Sequence, residues 1–109
     1  MIQINAIKNF PNGIARITMR FIGKNMFIRK KENSPESINM INTFKNKGLR
    51  LWESREWIKI DLLSDNEAIK LGDDFLDKDM SEEEMEKTLS NFYIQKYKQG
   101  GFIVEIQDI

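Results

Sequence analysis

The chain has 109 residues, 40% of them hydrophobic and 31% charged, which suits one compact domain spanning residues 1–109 and leaves too little chain for two. It contains no Cys and no His, so disulfides, thiolate nucleophiles, Cys/His zinc sites, imidazole bases and Ser-His-Asp triads are excluded, and a metal would need oxygen ligands. The net charge of zero hides a split: residues 1–60 hold twelve Lys/Arg against four Asp/Glu, a net of +8, whereas residues 61–109 hold five against thirteen, a net of −8.

In chain order, residues 2–9 form a first strand, ended by "FPNG", where Pro11 presets φ and Asn12-Gly13 tolerate the positions after it. Residues 14–22 form a second strand. Alternation places Ala15, Ile17, Met19 and Phe21 on one face and Arg16, Thr18, Arg20 and Ile22 on the other. A two-residue loop after Ile22 sets Phe21 opposite Met26 and Met19 opposite Ile28, so apolar residues meet apolar ones; a three-residue loop would pair Met19 with Arg29. Gly23 at the first loop position suits a type II′ turn.

In "NSPESINMINTFKNKG", Ser34 suits an N-cap, Pro35 the first helical position and Gly48 the position after the end, which predicts a helix over about residues 35–47 with Ile38, Ile41 and Phe44 at helical spacing. "LRLWESREWIKIDL" is extended, either as one long strand or as a hairpin turning near Ser54-Arg55. "SDNEAIKLG" carries a capping-box pattern, Ser64 to Glu67, and a Gly72 stop, which predicts a short helix; "DDFLDKDM" follows as a connector. Ser81, the acids behind it, the stripe Met85, Leu89, Phe92 and Tyr93, and Gly100-Gly101 bound a long helix, after which "FIVEIQDI" is a last strand. The expected order is βββ-α-β(β)-α-α-β. That is an α+β fold with an antiparallel sheet that begins as a three-stranded meander and about three helices packed on one face.

Two charged segments are candidates for function. On the hairpin, Arg16, Arg20, Phe27, Arg29 and Lys31 share the outward parity. Like charges on neighbouring strands repel, and an anion lying across them relieves this; a phosphate backbone would do so while Phe27 stacks on a base. A solvated sheet face, or a surface paired with the acidic half of the chain, explains the same charges without a ligand. The acidic segment holds Asp73, Asp74, Asp77, Asp79 and Glu83. The helix dipole accounts for acids at a helix start. A Ca²⁺ loop beginning at Asp77 fails, because Glu82 stands where Gly is needed and Thr88 where Glu is needed. A carboxylate array that mimics nucleic acid is the third reading.

Trp52 and Trp57 flank "ESRE". On one strand their parities are opposite, so one would face outward as a hot-spot candidate; one Trp in each of two small core patches is the commoner arrangement. Tyr93 and Tyr97 stand at i, i+4 and read as a packing pair. Asp61, Asp65 and Glu67 near Lys59 would serve a Mg²⁺-dependent phosphodiesterase only if they converge.

No apolar run approaches the ~18 residues of a membrane span, and "MIQINAIKNF" lacks the regions of a secretory signal, so a cytoplasmic location and no membrane partner are expected. The reading favoured here is a small non-enzymatic binding protein, without a cofactor, whose basic hairpin face engages nucleic acid or a nucleoprotein complex. The alternatives are an inhibitor of a host defence enzyme, of the kind that phages and mobile elements carry, acting by protein–protein binding through the acidic surface as a nucleic-acid mimic, and a structural subunit of a phage particle or other assembly.

Overall fold

The protein is described by a computed structural model covering residues 1–30, 35–63 and 67–109, with the backbone alone at Glu36. Ser34, Lys31, Ser64 and Asp65, to which the sequence assigns caps or site roles, lie outside the described residues. The fold is α+β and antiparallel, as the sequence implies. Its first three strands are β1 (Ile2–Phe10), β2 (Gly13–Ile22) and β3 (Asn25–Arg29). The β2–β3 register pairs Met19 with Ile28 and Phe21 with Met26, the arrangement that hydrophobic matching requires. Gly23 has φ +57, and its N–H donates to Glu86 Oε1 at 2.7 Å. A side chain there would be strained, and its Cβ would press on Glu82.

Helix α1 (Pro35–Asn46) follows. It ends in a Schellman motif: Gly48 N–H donates to the Lys45 carbonyl, Leu49 N–H to the Phe44 carbonyl, and Gly48 takes φ +75. Its buried stripe is Ser37, Met40 and Phe44, with Ile41 half-buried. Ile38, which the sequence reading places on that stripe, is 51% exposed, because it lies beyond Ile41 on the flank of the 37/40/44 face.

Residues 49–62 are a hairpin, β4 (Arg50–Glu53) and β5 (Trp57–Asp61), closed by Ser54 N–H donating to the Trp57 carbonyl and Trp57 N–H to Ser54 Oγ. The expected short helix at "SDNEAIKLG" and the expected connector after it are both corrected. Ala68–Leu71 is strand β6, and it pairs with β7 (Asp74–Asp77) across a turn at Gly72-Asp73. The apolar residues Ile69, Leu71 and Leu76 meet on one face at the period of two that belongs to a strand. Gly72 therefore turns a hairpin instead of ending a helix. Among the described residues there are thus two helices and eight strands, in the order βββ-α-ββ-ββ-α-β.

Helix α2 (Glu82–Gln99) begins at Ser81, whose Oγ accepts the Glu84 N–H at 3.1 Å, with acids in its first turn and Lys96 and Lys98 in its last. Strand β8 (Ile103–Asp108) completes the sheet, in the order β4-β5-β3-β2-β1-β8. One face of that sheet carries Ile4, Ile17, Met19, Phe21, Met26, Ile28, Ile58 and Ile60, all buried. Met40 and Phe44 of α1 and Met85, Leu89 and Tyr93 of α2 close the same core, with Tyr93 stacked on Phe21 at 5.9 Å. Both helices therefore lie on one side, and among the described residues no helix covers the other, open face of the sheet. Among the described residues no helix is long and apolar enough to cross a membrane.

Candidate functional site on the open sheet face

The register builds one continuous row across all six strands of the open face: Trp52, Lys59, Phe27, Arg20, Gln3 and Gln107, each directly opposite the next. At the usual strand spacing this row is about 24 Å long. A second row sets Trp57 opposite Arg29, and then Thr18, Asn5 and Glu105 in line. Arg16 stands next along β2, opposite Ile7.

The side chains of these rows hold each other. Arg20 Nε donates to Gln3 Oε1 at 2.6 Å, and Gln3 Nε2 donates on to Gln107 Oε1 at 3.3 Å. The Arg20 guanidinium lies 4.4 Å from the centre of the Trp57 ring, and Lys59 Nζ lies 5.2 Å from that of Trp52. Such contacts contribute about 0.5–2 kcal/mol each, depending on how dry they are. Thr18, on the same face, is only 2% exposed, and its Oγ1 donates to Asn5 Oδ1.

Of the five residues assigned from sequence to the basic face, four are brought together here: Arg16, Arg20, Phe27 and Arg29. Lys31 lies outside the described residues. Arg16 and Arg29 are exposed, and among the described residues neither has a carboxylate partner. Two other members of the basic run are used internally: Lys8 donates to the Gly100 carbonyl at the end of α2, and Lys30 pairs with Glu53.

The sequence reading missed the tryptophans. The expected placement of one Trp in each of two core patches is corrected: both lie on the open face, Trp52 45% exposed and Trp57 half-buried. The two-residue turn at Arg55-Glu56 reverses the parity between β4 and β5, so residues that a single strand would point apart share one side. Ser54 ahead of the turn was the available signal, since its hydroxyl bonds locally to the backbone.

The acidic candidates lie elsewhere. Asp73 and Asp74 are exposed at the tip of the β6–β7 hairpin. Asp77 accepts the Asp79 N–H at 2.7 Å, and Glu83 pairs with Lys87 along α2. Glu86, further along α2, reaches one end of the sheet, at Gly23 N–H in the β2–β3 turn and at the N-terminus. Among the described residues no ion pair or hydrogen bond joins Asp73, Asp74, Asp77, Asp79 or Glu83 to Arg16, Arg20 or Arg29. Among the described residues no three carboxylates converge closely enough to hold a metal ion.

No protein-family model matches the chain, and no curated protein and no solved structure matches it either.

Proposed function

We propose that the protein is a non-enzymatic single-stranded nucleic-acid-binding protein that lays its ligand across the open sheet face. The observation that carries this reading is the row Trp52–Lys59–Phe27–Arg20, flanked by Trp57, Arg29 and Arg16, on a face that neither helix covers. Aromatic rings stack on any base, at about 1–3 kcal/mol each, and cations between them track the phosphates. A sheet face that carries aromatic rings among cations suits unstacked bases, whereas a duplex presents backbone and grooves to a helix or ribbon. Arg20 is already oriented by Gln3 and Trp57, so less side-chain entropy is lost on binding.

Fluorescence anisotropy with a labelled 12-nucleotide single strand and with the matching duplex tests this. Tighter binding of the single strand is expected. No binding of either at low salt would sink the proposal, and preference for the duplex would overturn its stacking component.

The second reading, inhibition of another protein through Asp73, Asp74, Asp77, Asp79 and Glu83, has less behind it. Asp77 is committed to the Asp79 N–H and Glu83 to Lys87, which leaves the exposed carboxylates of Asp73, Asp74 and Asp79 uncommitted among the described residues.

A further inference from the structure

A cavity of about 510 Å³ lies on the helix side of the molecule, between α1, α2 and β6. That volume is within the range of small-molecule sites. Phe44, Leu62, Ile69 and Phe92 wall it with apolar surface. Lys47, just past α1, Lys70 on β6 and Lys96 on α2 line it from three separate elements, and no Asp or Glu is among the described residues that do so. Two of the three, Lys70 and Lys96, belong to residues 61–109, which carry a net charge of −8. Among the described residues none of the three lysines has a carboxylate partner.

A second observation points to a ligand. Tyr93 also lines the cavity and is only 3% exposed. Its ring packs on Phe21, Phe92 and Tyr97, yet its hydroxyl makes no hydrogen bond among the described residues. A buried O–H without an acceptor costs about 1–3 kcal/mol, and an acceptor inside the cavity removes that cost. Burial, and then the neighbouring Tyr97, push the phenol above its ordinary pKa, which extends its range as a donor further into alkaline pH.

We infer that this cavity binds a small amphipathic carboxylate, with an acyl chain against the Phe44–Leu62–Phe92 walls and the anionic head accepting from the Tyr93 hydroxyl and the surrounding lysines. The site is separate from the open sheet face, so the two proposals stand or fall independently.

The test is an amide-resolved NMR titration with decanoate, kept below its micelle concentration, beside decanol as its uncharged analogue. Decanoate is expected to shift residues of α1, β6 and α2, and to bind about tenfold or more tightly than decanol. Tyr93→Phe keeps the ring packing and removes only the donor, so severalfold weaker decanoate binding is expected. The triple variant K47E/K70E/K96E changes exposed positions and is expected to erase the preference for decanoate. Equal binding of decanol and decanoate, shifts confined to the open sheet face, or no shift with either compound would overturn the inference.

Discussion

Arg20 is held from two sides before any ligand arrives, by Gln3 on β1 and by the Trp57 ring two strands away on β5. Lysine at this position keeps the charge but loses the planar stack and the fixed Nε–H. Arg20→Lys is therefore expected to weaken oligonucleotide binding severalfold, with a shift in tryptophan emission in the free protein. Phe27→Ala removes a central ring of the row, and binding is expected to weaken by about 1–3 kcal/mol in the same anisotropy assay. Trp52 is at the edge strand and half open to solvent, so Trp52→Ala is expected to change thermal stability little, by about 1 kcal/mol or less, while still weakening binding. The cationic half of this site was legible in the sequence because strand alternation alone sorts Arg16, Arg20, Phe27 and Arg29 onto one face. The aromatic half was not. Whether Trp52 and Trp57 face together depends on where a turn falls, and "ESRE" marks that turn only through Ser54.

At the scale of elements, local chemistry and tertiary pairing divide the outcome. The β2–β3 register, the Gly48 terminus of α1 and the Ser81 start of α2 follow from nearby residues and were readable. Strand β6 was not: "SDNEAIKLG" has the signals of a helix start and stop, and pairing with β7 decides against them. Removing the α2 cap with Ser81→Ala is expected to cost about 1 kcal/mol, read by chemical denaturation. Leu89→Ala, at a fully buried position of the same helix, is expected to cost about 2–5 kcal/mol. Tyr93 adds a pH dependence. Burial favours its neutral form in the fold, so its contribution to stability is complete below the ordinary tyrosine value of about 10 and is lost as pH rises beyond it. Denaturation midpoints of the native chain should fall more steeply above pH 10 than those of Tyr93→Phe; parallel curves would contradict this.

For the whole molecule, the split of charge along the chain becomes a split in space. Among the described residues the acidic candidates of the second half sit on the β6–β7 hairpin and along α2, in the layer behind the sheet, while the basic first half presents its arginines on the open face. The sequence could show the imbalance but not whether the halves neutralise each other, since that depends on which face the helices cover. With both helices packed on the Ile17–Met19–Phe21 side, Arg16 and Arg29 remain without carboxylate partners among the described residues. An anion bound across this face should release counterions. With four cations engaged, the single-strand relation of roughly 0.7 per phosphate gives a slope of log affinity on log salt of about −3.

The two tryptophans of the chain both stand on this face, so their fluorescence reports on it directly. The decisive measurement is a titration of that fluorescence with unlabelled single-stranded oligonucleotide at stepped salt, for the native chain and for R16E/R29E. Saturable quenching with a slope near −3 is expected for the native chain, with a shallower slope and much weaker binding for the variant. Absence of quenching at low salt, or a slope that the two substitutions leave unchanged, would contradict the assignment of this face as the binding surface.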